Sequence, residues 1–319
     1  MAPQISIIVP AFKVEYFLRT ALNSILAQTF TNWEAILVDD CSPDNSGLIC
    51  DEYVNKDKRF KVVHKVKNEG LFLARKSGLD IASGEYIAHL DSDDYYDPKF
   101  LEKMHNKAME IAGGYDMVFC GYRVVDLKGK LIRETTFKKD FVLEENKAKR
   151  LEDYFTKKYF QFALWNTLIK KEFYDKVIFP DIFLNHREDS FNYNQLYFFL
   201  NTAALLKENL YSWVRYENTS SNFVTKTADE LLRLINMEKT FYEYSCKILK
   251  NFNDEEYLNA FIRCYSPFFS TSKARYFSLP KKERAKLKEM NFLEDLSALH
   301  KHAKLKNKIQ FFFASLLNL

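Results

Sequence analysis

Glycine is scarce in this chain, with eight in 319 residues. The N-terminal VPAFKVEYFL, residues 9–18, carries none. That argues against a nucleotidyltransferase, which usually holds its phosphates in a glycine- and lysine-rich loop near the N-terminus. The five cysteines are odd in number and widely spaced, and no two form a C-x-x-C pair. A disulfide framework or a zinc site is therefore not expected, and a reducing compartment is. No apolar run approaches the roughly 20 residues that cross a bilayer. MAPQISIIVP enters a strand pattern without a basic flank, which predicts no signal peptide. A cytoplasmic chain follows, in which the Asn218-Thr219-Ser220 sequon has no role. Internal repeats and low-complexity tracts are missing too.

Aromatic residues are abundant, at 16% with 29 Phe and 19 Tyr, and predict a dense core. The net charge of +4 is unevenly spread. Residues 271–319 hold eleven Lys/Arg against four acids, so the tail is basic and the remainder mildly acidic. That tail has no recognised nucleic-acid motif, which argues against nucleic acid as a partner.

Over the first 120 residues two patterns alternate. ISIIVP (5–10), EAILVDD (34–40), FKVVHK (60–65), YIAHLD (86–91) and DMVFCGY (116–122) read as strands. Residues 15–28, 70–82 and 98–112 have helical spacing, the last with Pro98 at its start. Such alternation predicts an α/β fold with a mixed, mostly parallel sheet flanked by helices. Residues 123–143 read as a hairpin around DLKGK, and the pattern is helical beyond residue 223.

In parallel sheets ligands bind at the carboxyl ends of the strands. Those ends carry Pro10-Ala11-Phe12, Asp39-Asp40 and Asp91-Ser92-Asp93. If the chain stays extended past residue 90, Asp91 and Asp93 point the same way and Ser92 turns aside. Two convergent carboxylates suit Mg²⁺ or Mn²⁺, which prefer oxygen ligands. A solvated acidic turn is the alternative, with Asp97 capping the next helix. Asn68 and Gly70 precede a helix with Arg75 about one turn in, an arrangement able to place a nucleotide.

The run IVPAFKVEYFL, then VDDCSPDNS, NEGLFLAR and LDSDD resembles family 2 glycosyltransferases of the GT-A (Rossmann-like) fold, in order and spacing. LWNTLIKKEFY (164–174), HREDSFN (186–192) and YSWVRYENTSS (211–221) are similar to the downstream half of bacterial members. The resemblance covers roughly residues 4–223. It implies a glycosyltransferase domain over 1–223 and a helical C-terminal extension over 224–319. It further implies sugar transfer from a nucleotide donor with inversion at the anomeric carbon, the sugar being a hexosyl or N-acetylhexosaminyl group.

Carried over by position, Pro10, Ala11, Phe12 and Glu15 lie along the nucleotide, and Asp39 or Asp40 reads the uracil. Asn68, Gly70 and Arg75 hold the nucleotide-sugar. Asp91 faces the ribose or donor sugar, Ser92 belongs to the nucleotide-binding set, and Asp93, with Asp91, binds the cation on the diphosphate. Asp189 is the implied base, with Glu188 its alternate, and Arg215 is either a surface residue or a lid cation that approaches the diphosphate. Lys13 stands where the family often has Asn, and Cys41 where it often has Gly. The second substitution asks the turn after Asp40 to avoid a glycine-only conformation. Trp165 is read as core or as a wall for the acceptor, and His89 as a core residue. The other histidines, His64 among them, are given no role, and His186 and Arg187 are read as a solvated loop.

The implied donor is a UDP-sugar and the acceptor an oligosaccharide or lipid-linked glycan of the bacterial surface, such as capsule or lipopolysaccharide. Lysines 301, 304, 306 and 308 before IQFFFASLL admit two readings. One is a basic amphipathic helix on the cytoplasmic membrane face, and the other is contact with the main domain or a second subunit. A rival to the enzyme reading is a non-catalytic nucleotide-sugar-binding subunit of a glycan assembly complex.

Overall fold

The computed structural model describes residues 2–137, 141–155, 163–182, 188–216, 227–265 and 275–289. Residues 1–145 with 159–219 form one compact unit, and 146–158 with 220–319 form a second.

The first unit is built on one sheet. Strands β1 (Ile5–Ala11), β2 (Trp33–Asp39), β3 (Phe60–His64) and β4 (Tyr86–His89) alternate with helices α1 (Leu18–Leu26), α2 (Ser46–Lys56) and α3 (Leu71–Ile81). Short β5 (Tyr95–Tyr96), helix α4 (Phe100–Ala108), β6 (Met117–Val125) and β7 (Leu131–Glu134) follow. Helix α5 (Lys147–Phe155) belongs to the second unit. The chain then returns through β8 (Thr167–Lys170), α6 (Lys171–Tyr174), α7 (Glu188–Phe199) and β9 (Ala203–Val214).

Among the described residues the sheet order is β3-β2-β1-β4-β8-β6-β9-β5, with β7 on β6. The run β3-β2-β1-β4 is parallel. Every residue of β1, β2 and β4 is buried, as expected of strands covered on both faces. β8 enters antiparallel between β4 and β6, and β9 runs parallel to β6. The chain thus has the expected α/β fold with a mixed sheet.

Helix α3 positions the site. Its buried residues Phe72, Arg75, Gly78 and Leu79 recur at helical spacing and face the sheet. A methyl group on Gly78 would meet Ile8 Cγ2 at 2.6 Å and Val38 Cγ2 at 3.2 Å, so glycine lets the helix lie close on β1 and β2. Phe72 also packs against Phe179 and edge-on against Phe191 of α7, with centroids 5.0 and 5.1 Å away. That contact brings the first turn of α7 beside α3.

Two turns at the strand ends are left-handed. Lys13 has φ 57° and Cys41 has φ 59°. The turn after Asp40 therefore keeps the conformation that glycine favours, and the side chain of Cys41 is accommodated at a cost. Further on, α4 begins at Phe100 rather than at Pro98, and Lys99 rather than Asp97 occupies its N-cap.

The second unit contains α5, α8 (Ala228–Lys250), α9 (Glu255–Tyr265) and α10 (Lys281–Glu289). Thr227 and Glu230 form a capping box at the start of α8. Phe241 and Tyr242 of α8 pack on Phe261 and Tyr265 of α9. Among the described residues no helix is long and apolar enough to cross a membrane. Lysines 301, 304, 306 and 308 lie outside the described residues.

Cys41→Gly should raise stability by about 1 kcal/mol, because glycine removes the left-handed penalty and gives back part of it as chain entropy. Denaturant unfolding measures this, and an unchanged or lower midpoint would refute it.

Candidate active site

The carboxyl ends of β1, β2 and β4 converge on one edge of the sheet, and each carries polar residues. At the end of β1, Pro10 pairs with Val38, and the Ala11 carbonyl accepts the Asp40 N–H at 2.9 Å. Phe12 is 39% exposed just beyond. Glu15 accepts from the backbone and side-chain nitrogens of Asn45 at 3.1 and 2.8 Å, tying the β1 loop to the start of α2.

Asp39 and Asp40 have different partners. The Asp40 carboxylate accepts from Asn68 Nδ2 at 3.0 Å and from the backbone N–H groups of Glu69 and Gly70 at 3.0 and 2.8 Å. It thereby folds the 68–70 loop onto the strand edge, and Gly70, at φ 86°, turns the chain into α3. Asp39 accepts from the Ser42 N–H at 2.9 Å and pairs with His64 Nδ1 at 3.0 Å. His64 Nε2 reaches Asp51 of α2, also at 3.0 Å. These two carboxylates raise the His64 pKa above its ordinary 6.5, Asp39 most strongly. His64 therefore has a role that its sequence context did not suggest. The parallel register of β2 and β3, which sets Asp39 opposite His64, is the signal that would have found it.

The acidic stretch after β4 is a turn rather than a continued strand, since the Asp94 N–H donates to the Asp91 carbonyl at 3.0 Å. The alternation argument for Asp91 and Asp93 therefore does not apply. Each carboxylate instead has its own partner. Asp91 Oδ1 takes Arg75 Nη2 at 2.7 Å. Asp93 accepts from the Tyr216 hydroxyl at 3.0 Å, and the Tyr216 ring stacks on Phe17 at 4.8 Å. Asp94, 3% exposed, accepts from the Tyr211 hydroxyl and the Val214 N–H, both at 2.7 Å. Asp97 accepts from the Lys99 N–H at 3.0 Å ahead of α4. Ser92 is buried between them.

Burial, and next the neighbouring charge of Asp91, push Asp93 up to about 6. Burial and the charges of Asp93 and Asp91 also raise Asp94 well above the carboxylate range. A positive charge here would relieve both effects. Among the described residues no cluster of three or more His, Cys, Asp or Glu is arranged to hold a metal. Asp93 is the carboxylate of this turn whose ionisation an added positive charge would favour.

The fourth component comes from far along the chain. Asp189, in the first turn of α7, accepts from Arg75 Nη1 at 2.9 Å and from the Leu164 N–H at 3.3 Å. Arg75 is 1% exposed and spans Asp91 and Asp189. Glu188 opens α7, but its side chain, like His186 and Arg187, lies outside the described residues. Trp165 is half-buried and stacks on Tyr211 at 4.4 Å. Arg215 is exposed at the end of β9, its N–H on the Val125 carbonyl at 2.8 Å. His89 is buried and bonded to the Tyr174 hydroxyl at 3.0 Å, in keeping with a core role. Tyr211 and Tyr216 were not found from sequence, because only the pairing of β9 with β5 and β6 brings them here.

A family model described as "Glycosyl transferase family 2" matches residues 6–178. The chain belongs to that family. It is a glycosyltransferase. EpsH of Bacillus subtilis is 29% identical over 275 residues, which is 83% of this chain and 75% of EpsH. TuaG of the same organism, named for teichuronic acid biosynthesis, is 35% identical over 127 residues, which is 40% of this chain and 50% of TuaG. The fold is that of S. aureus TarS, with TM-score 0.63 and 20% identity over 92% of this chain and 48% of TarS. TarS 1-349 in complex with UDP-GlcNAc aligns with TM-score 0.55 and 18% identity, covering 95% of this chain and 92% of that one. These likenesses make the sheet a GT-A glycosyltransferase sheet.

The raised His64 pKa sets a pH dependence. Protonated His64 stabilises the fold fully below its unfolded value of 6.5, and that contribution is lost as pH rises through the higher folded value. The gap in thermal midpoint between wild type and His64→Gln should therefore be widest near about pH 5.5 and close toward about pH 9. A gap that is constant across that range would contradict the pairing.

Proposed function

We propose that this glycosyltransferase moves a sugar from a UDP-sugar to a glycan or lipid-linked acceptor hydroxyl, with inversion and assistance from a divalent cation. The observation that supports this most strongly is the Arg75 fork. It joins a carboxylate at the end of β4 to a second carboxylate at the head of α7, on the sheet edge where ligands bind. A donor seated on Asp91 thereby lies next to a carboxylate able to take the acceptor's proton.

In this reading Pro10, Ala11 and Phe12 flank the nucleoside, and the Asp39-Asp40 corner accepts from the uracil. Asn68, Gly70 and Ser92 shape the nucleotide pocket, and Arg215 approaches the diphosphate. Asp93, with Asp91, would hold Mg²⁺ or Mn²⁺, which when bound neutralises charge on the departing UDP. Asp189 takes the proton from the acceptor hydroxyl. The acceptor oxygen forms a bond to the anomeric carbon as the bond from that carbon to the diphosphate oxygen breaks, and UDP leaves with the electron pair.

We assign this chemistry to residues 1–223 and contact with the acceptor, a membrane surface or a second copy to the extension over 224–319. A surface polysaccharide as product agrees with the teichuronic acid pathway named for TuaG. The UDP donor agrees with the UDP-GlcNAc complex of the TarS fold.

A panel of UDP-sugars with Mn²⁺ or Mg²⁺, read by UDP release with and without EDTA, tests the donor and the cation. Asp93→Ala should lose cation-dependent donor binding, and unchanged metal dependence with unchanged donor affinity would remove Asp93 from the metal site. Asp189→Asn should bind donor normally and lose transfer by about 10²–10⁴-fold. Normal transfer by that variant would exclude Asp189 as the base.

A further inference from the structure

We infer that Arg75 is a positioning residue for the base: it holds the Asp189 carboxylate in place and ties that placement to the donor-side carboxylate Asp91. This rests on the reading of Asp189 as the base. It goes beyond a role for Arg75 in holding the nucleotide-sugar, because it assigns the guanidinium to the proton-accepting side of the reaction.

The first argument is geometric. One nitrogen of the fork donates to Asp189 Oδ1 at 2.9 Å and another to Asp91 Oδ1 at 2.7 Å. A guanidinium is planar and rigid, so fixing it at Asp91 also fixes the direction in which it meets Asp189. The Leu164 N–H, at 3.3 Å from Asp189 Oδ2, holds the other end of the same carboxylate. Asp189 is thus gripped from α3 on one side and from the chain before β8 on the other.

The second argument concerns charge and mobility. Arginine stays protonated when buried, so a residue 1% exposed in the sheet-facing stripe of α3 is a permanent cation with no route to water. Arg75 also cannot swing between partners as a surface side chain does. Gly78, one turn on, seats α3 against Ile8 and Val38, and Phe72, one turn back, packs on Phe191 two residues after Asp189. The helix that carries the cation and the helix that carries the base are locked by the same packing. The interaction therefore acts as a rigid brace between the donor site and the base.

The test uses the full chain and two substitutions, Arg75→Lys, which keeps the charge but cannot span both carboxylates, and Arg75→Gln, which removes the charge. UDP affinity with Mn²⁺ is measured by calorimetry, and turnover by UDP release from the sugar donor that the wild type accepts. The expected result is turnover at saturating donor lower by about 100-fold, the scale of loss for a misplaced reacting group, and a loss larger than any weakening of UDP affinity in the same variant. The double variants with Asp189→Asn should be no slower than Asp189→Asn alone, since both changes disable one unit. Losses that add in the double variants would overturn the proposal. So would loss of UDP binding in both arginine variants, which would confine Arg75 to the donor site. Wild-type turnover by Asp189→Asn alone would remove the base assignment, and this proposal with it, whatever the arginine variants do.

Discussion

A guanidinium buried in a hydrophobic sheet-and-helix layer has to be paired, because its charge cannot be removed by deprotonation. Arg75 meets that constraint with two carboxylates 98 residues apart in sequence, Asp91 and Asp189. Without them the guanidinium would be a buried, unpaired charge at a cost of several kcal/mol, so the site and the fold share a common requirement. α3 must lie flat on β1 and β2, β4 must end where it does, and α7 must start beside α3. The apolar contacts of Gly78 and Phe72 meet the first and last of these conditions.

The acidic turn after β4 shows the same logic applied to like charges. Asp91, Asp93, Asp94 and Asp97 sit within seven residues and would repel one another if left in a common pocket. The structure separates them by giving each a donor from a different element: an arginine of α3, two tyrosines reached through β9, and the backbone ahead of α4. Asp94 is the most buried of the four and the one with two short bonds, which makes it a fastener for β9 rather than a ligand group. Asp93 is left as the partly protected carboxylate whose ionised form a cation would favour.

Much of this was legible in the sequence for physical reasons. Buried parallel strands are continuous apolar runs, so β1, β2 and β4 stood out, as did the amphipathic face of α1. The motif residues at the strand ends followed from the rule that ligands bind there. What escaped notice depends on pairing between distant segments. β9 is long but mixes Lys207, Glu208 and Asn209 into its middle, which hides its period, and β8 is only four residues long. Tyr211 and Tyr216 gain their roles only through β9, and His64 only through its register with Asp39. The left-handed φ of Cys41 is likewise hidden, because a residue's identity does not reveal that a fold will hold it in an uncommon conformation.

The fastening of Asp94 bears on how the molecule is made. Its partners Tyr211 and Val214 lie 117 and 120 residues further along the chain. While a ribosome is still producing the first half, the acidic turn exists without them, and the edge of β6 that β9 will cover is open. Contacts of such long sequence separation pay their loop-closure cost before they return any stability, which slows folding. The nascent chain must therefore hold Asp93 and Asp94 without their tyrosine partners until β9 and the residues just after it have emerged.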